Sequence, residues 1–275
     1  MPPTKPPPRA RPSLPGLTPP QATDAAFSPD DYRMSLMDHL RELRKRVIVC
    51  LYALAVGCVI GLASATKIFA VLCAPMNAAL ANTEHGTLAV TTATEGVFVQ
   101  LKVAIFTALF IASPVIFWQI WRFVAPGLYD TEKRHVTPLV VASTSLFAGG
   151  AAFAYFVVFH FGFPVFLKMN GEGVMAVLSI DAYLTFATTL LVAFGASFQL
   201  PVVIWFMSRI GLVNHRDLIK GFRYSIVIIF VIAAILTPPD VLSQMMMAIP
   251  LVGLYGVGII VSYFSSTKPV FRRTA

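Results

Sequence analysis

Six stretches of this 275-residue chain are apolar over close to the length a helix needs to cross a bilayer. They run from about Val47 to Ala65, Val97 to Ile120, Pro138 to His160, Tyr183 to Ser208, Tyr224 to Leu236 and Val241 to Tyr263. A span takes about 20 mostly apolar residues. With 57% hydrophobic and 12% charged residues the chain holds about half the charge of a soluble domain. The expected fold class is therefore an all-α integral membrane protein with six transmembrane helices. Spans five and six are the short ones. From Phe222 to Leu236 a helix rises roughly 22 Å against about 30 Å of hydrocarbon, and only "LTPPD" joins it to span six.

Charge placement orients the spans, because lysine and arginine close to span ends stay in the cytoplasm. Eighteen of the 21 lie before span one, between spans two and three, between four and five, or after six. Only Lys67, Lys102 and Lys168 fall on the other side. Both termini are thus expected in the cytoplasm, which an even number of spans requires. Residues 1–33 carry nine prolines in the first twenty positions and contain no apolar signal-peptide core, so they read as a disordered cytoplasmic tail. Translation from Met34 is the alternative. Residues 34–263 form the membrane domain and residues 264–275 a basic cytoplasmic tail.

At the start of the membrane domain, "MSLMDHLRELRKRV" places Leu36, Leu40 and Leu43 on one helical face that runs into span one. The first outside segment, about Thr66 to Gly96, contains "FAVLCAPMNAAL", amphipathic enough to lie along the membrane surface. Pro75 is expected to end or kink that helix. The second outside loop, about Phe161 to Ala182, includes "MNGEG" and is expected to be mobile. Cys50, Cys58 and Cys73 show no pairing pattern and read as small packing residues.

Chemistry-bearing patterns are sparse. The spans hold almost no ionisable residue: Lys102 sits where it can snorkel to the interface, and His160 ends span three. No paired histidines suit a haem, and no H-E-x-x-H, G-x-S-x-G or P-loop occurs. No enzyme activity, metal, cofactor or nucleic-acid partner is expected. The informative polar groups are Glu42 in the basic helix "HLRELRKR", Asp130 and Glu132 in "FVAPGLYDTEKR", and Gln199 inside span four. Each has a plain structural alternative. Glu42 and Arg46 can pair at i, i+4, and "DTEK" can open a helix. Gln199 can bond to neighbouring backbone, and Asp240 can cap span six.

Five blocks in order, "SLMDHLRELRKRV", "SPVIFWQIWRFVAPGLYDTEKR", "FAYFVVF", "AFGASFQLPV" and "AAILTPPDVLSQMMMAIPLVGLY", resemble the TatC family, the multispanning receptor subunit of the twin-arginine protein translocase. The likeness spans about Ser35 to Tyr263. It implies a concave six-helix bundle in a bacterial cytoplasmic membrane, with TatA- and TatB-type single-span partners, self-association within the receptor complex, and export of folded proteins driven by the proton motive force. It also implies that Glu42 and Glu132 bind the paired arginines of cargo signal peptides, with Phe123 as apolar neighbour and Arg44 beside them. Gln199, Pro75 and Asp240 are implied as partner-docking or structural positions. The chain departs from the family in carrying Gln199 where many members have glutamate, and Gly256 where an acidic residue is common. A secondary transporter of a small solute is the competing reading, disfavoured by the lack of intramembrane charge.

Overall fold

The computed structural model describes residues 36–81, 86–124, 136–169, 177–237 and 240–265. Two compact units divide the chain, Met1–Arg41 and Glu42–Ala275. In the first unit the described residues are the opening of helix α1; everything below concerns the second. The Pro-rich tail (1–33), the loop that holds Asp130 and Glu132, and the basic tail beyond Ser265 lie outside the described residues.

Eight helices make six spans among the described residues: α1 (Leu36–Leu80), α2 (Glu95–Val124), α3 (Val136–Phe153) running through a π-helical turn (Ala154–Val158) into α4 (Phe159–Met169), α5 (Ile180–Ser197) followed by α6 (Leu200–Arg209), α7 (His215–Leu236) and α8 (Val241–Ser265). At 22 and 25 residues, α7 and α8 are the shortest spans. Yet α7 starts at His215, so the basic stretch before Tyr224 is helical too. Two short strands, β1 (Thr87–Ala89) and β2 (Val177–Ser179), pair in parallel at the end of the bundle where Glu95 lies.

Small residues set how closely the helices approach. Gly57 and Gly61 on α1 form G-x-x-x-G, and they face Ala104 and Ala108 on α2. A Cβ on Gly61 would sit 2.6 Å from the Ala104 carbonyl oxygen, and one on Gly57 2.9 Å from the Ala108 Cα. Two backbones in such contact leave no room for a side chain, the usual basis of tight helix pairs in lipid. Likewise α3 and α5 cross at Gly150 and Gly195, which abut Phe194 with Phe198 and Phe147 respectively.

Two expectations for the outer segments need correction. Helix α1 does not stop at Pro75; it continues about fifteen residues, roughly 22 Å, beyond the first apolar run as one helix to Leu80. Leu72, Cys73, Met76, Ala79 and Leu80 are buried in the main core, so one face of this stretch packs into the bundle. The physical reason is tertiary. Proline lacks the N–H that would bond the carbonyl four residues back, Val71, and that carbonyl accepts from the Tyr155 hydroxyl at 2.7 Å. The neighbouring Leu72 carbonyl accepts from the Tyr183 hydroxyl at 2.6 Å. Pro114 in α2 follows the same rule, for the Phe110 carbonyl it orphans accepts from Ser113 at 2.8 Å. Second, the ends of the segment read as the loop 161–182 are regular structure: α4 runs to Met169, and β2 leads into α5. Part of "MNGEG" lies outside the described residues.

Candidate functional site

Helices α1 and α2 are antiparallel and share one register. Gly61 faces Ala104 and Gly57 faces Ala108; eleven residues further along both helices, Arg46 Nη1 reaches Gln119 Oε1 at 3.5 Å. One more turn brings Glu42 level with Phe123, in the last turn of α2. The same register, carried past the Arg46–Gln119 contact, assigns the sequence-predicted carboxylate and its apolar neighbour to the same end of the two helices. Phe123 and Glu42 are half-buried there, while Arg44 and Lys45 are exposed. Glu42 is ion-paired with Arg46. This is the i, i+4 pair the sequence allowed, and the cross-helix reach to Gln119 is added to it.

A second feature is a groove of about 860 Å³ walled by α2, α5, α6, α7 and α8. Its lining is almost wholly apolar, with Thr185, Thr188, Thr189 and Gln199 as a polar line along one wall and Lys102 at the far end. Gln199 sits where span four breaks between α5 and α6, ahead of Pro201. Its amide nitrogen donates to the Ser143 carbonyl of α3 at 2.8 Å. The amide oxygen retains its acceptor capacity beside the groove. Ser143 is buried and its hydroxyl accepts from Trp121 Nε1 at 2.8 Å, so one residue of α3 anchors both α2 and the break in span four.

Lys102 does more than snorkel. Its ammonium donates to Asp181 at 2.6 Å and to Thr185 at 2.7 Å, closing the groove's far end with an ion pair between α2 and α5. Asp240 caps α8: its carboxylate accepts from the Ser243 backbone N–H at 2.7 Å and from the Ser243 hydroxyl. Pro75 is placed in the α1 latch described above, far along the chain from Glu42. Glu132 lies outside the described residues.

With this geometry in hand, the family whose description is Sec-independent protein translocase protein (TatC) matches residues 38–250. The chain belongs to the TatC family. It is similar to the Sec-independent protein translocase protein TatC of Desulforapulum autotrophicum, 42% identical over 85% of this chain and 86% of that protein. The TatC of Campylobacter jejuni is 42% identical over 82% of this chain and 92% of its own length. Two crystal structures of the twin arginine translocase receptor TatC superpose with TM-scores of 0.73 and 0.75 at 39% and 38% identity, covering 83% and 82% of this chain and 99% of each of theirs. Six span-length helices and TatC membership make it a multi-pass protein of the bacterial inner membrane. TatC proteins form a translocase component family, not a family of catalysts.

Some residues of this TatC-family chain were not singled out by sequence reasoning. Glu95 is 3% exposed, and its carboxylate accepts from Thr91 and Thr92 before α2, from Ser179 Oγ at 2.8 Å and from the Asp181 N–H at 2.7 Å. It therefore caps the starts of two helices from one position. The available signal was Thr92-x-x-Glu95 ahead of an apolar run, the pattern of a capping box. Gln119, Trp121 and Ser143 carried none, because each acts through a partner distant in sequence.

Proposed function

We propose that this chain is the receptor and core scaffold of the twin-arginine translocase, a non-enzymatic subunit that binds signal peptides with paired arginines and assembles with TatA- and TatB-type single-span proteins. Family membership supports the translocase role. The observation that supports the binding reading is the α1–α2 register, whose Arg46–Gln119 contact lies one turn from both Glu42 and Phe123. A guanidinium stays protonated and presents planar, paired donors, so carboxylates beside an apolar ring suit it better than any other natural cation. Glu132 is assigned as the second carboxylate. The test is deletion of the gene: arginine-pair cargo should accumulate in the cytoplasm while other exported proteins leave normally. Retention of both classes, or of neither, contradicts the proposal.

Cytoplasmic placement of both termini is part of this reading and is supported by the eighteen-to-three charge division. In a variant lacking Cys50, Cys58 and Cys73, cysteine introduced at exposed Ala93 should label from outside intact cells. Cysteine at exposed Asp217 should label only after permeabilisation. External labelling at position 217 reverses the orientation.

The groove is proposed as the docking face for a single-span partner, with Gln199 contributing through its free amide oxygen. An intramembrane hydrogen bond is worth on the order of 1 kcal/mol. Gln199→Leu should leave signal-peptide crosslinking intact but lower export and partner co-purification several-fold. Gln199→Glu should keep substantial transport, because a protonated carboxyl can still donate to the Ser143 carbonyl while its second oxygen accepts from a partner. Full export by Gln199→Leu, with no crosslink from position 199 to a partner helix, leaves Gln199 as an internal tie to Ser143 alone.

A further inference from the structure

Glu42, the described carboxylate of the proposed receptor site, is already held by a guanidinium from its own helix. Arg46 pairs with it one turn on, reaches Gln119 at 3.5 Å, and is only 14% exposed along its side chain. Its Nε is buried and has no hydrogen-bond partner among the described residues. One strong pair, one long contact and one unmet buried donor make a poorly satisfied arginine, since a buried donor without a partner is destabilising. By contrast its neighbours Arg44 and Lys45 are exposed to solvent.

We infer that Arg46 is a built-in competitor that occupies Glu42 and must be displaced when an arginine-pair peptide binds. The inference rests on the proposed reading of Glu42 as a signal-peptide contact. In the exchange one guanidinium–carboxylate pair is broken and another forms, and Arg46 turns its unmet donor toward water. Every basic ligand must break the same pair, so the competitor lowers all their affinities by a common factor and leaves their ratios alone. Its effect on selection is a threshold. Lysine pairs, which offer compact point charges without the planar fork, drop below occupancy while arginine pairs remain above it. The same group also helps release, because it re-enters as the peptide leaves.

The test uses the full chain and two fluorescent synthetic signal peptides that differ only in Arg-Arg or Lys-Lys. Arg46→Met keeps an unbranched, flexible side chain, two atoms shorter, and removes the guanidinium. It should tighten both peptides by a similar factor, roughly three- to tenfold, chiefly through slower dissociation, and bring the Lys-Lys peptide into the measurable range. Arg46→Lys retains the charge and the fold, and should give a smaller gain in the same direction. In a Glu42→Gln background neither change should tighten binding. A gain that persists there would show simple relief of charge repulsion and overturn the inference, as would unchanged or weaker binding in both Arg46 variants. Failure of the underlying reading looks different: Glu42→Gln alone would then leave binding of the Arg-Arg peptide as it was.

Discussion

Replacing Gly61 by leucine should cut binding of an arginine-pair peptide by tenfold or more, although Gly61 lies nineteen positions along α1 from Glu42. The cause is geometric. A Cβ at this position would meet the Ala104 carbonyl oxygen at 2.6 Å, and the obstacle is backbone, which cannot swing aside as a side-chain tip can. Overpacking typically costs about 1 to 3 kcal/mol, and relief here requires α1 to slide or lift from α2. Either motion takes Glu42 out of register with Phe123 and separates Arg46 from Gln119. Gly61→Ala should show the same defect more mildly. Gly256→Ala is the control, since a Cβ there meets nothing within 4 Å. Peptide binding and the yield of folded protein in detergent should fall for both Gly61 variants and stay level for Gly256→Ala. Wild-type binding by Gly61→Leu would mean that this crossing does not hold the site.

Residues differ in how much of this was legible beforehand. The six spans follow from the length and apolarity of the runs alone, because a bilayer admits few alternatives. Asp240 as a cap was readable too, since the cap and the N–H it serves are three residues apart. Pro75 was expected to end or kink the helix; it does not end it, because Tyr155 and Tyr183, eighty and more positions away, bond the carbonyls beside it. Glu95 carried a local capping signal, but its bonds to Ser179 and the Asp181 N–H depend on packing between α2 and α5. Glu42 was visible as an oddly placed carboxylate in a basic helix, and the resemblance supplied its role. Its proposed place level with Phe123 rests on the G-x-x-x-G crossing, whose glycines are unremarkable until Ala104 and Ala108 are seen facing them.

Glu42→Ala and Glu132→Ala should each weaken binding of an arginine-pair peptide without unfolding the bundle. Charge-assisted hydrogen bonds contribute about 1.5 to 3 kcal/mol, or roughly ten- to a hundredfold in affinity. Glu42 should sit near the lower figure, because forming its bond to the peptide first breaks its bond to Arg46. Glu132 should sit near the upper figure, and the double variant should abolish export of arginine-pair cargo in cells. Near-normal export by the double variant would remove these carboxylates from the recognition step.

Loss of affinity alone does not show that the carboxylates read arginine, because deleting negative charge weakens any cation. The decisive measurement is the penalty for changing Arg-Arg to Lys-Lys in the signal peptide, determined by equilibrium binding to the wild type and to the Glu42→Ala, Glu132→Ala double variant. If the carboxylates recognise the planar, forked donors of guanidinium, the penalty is large in the wild type and shrinks toward unity in the double variant. An equal penalty in both proteins would contradict the account and place recognition of the arginine pair elsewhere.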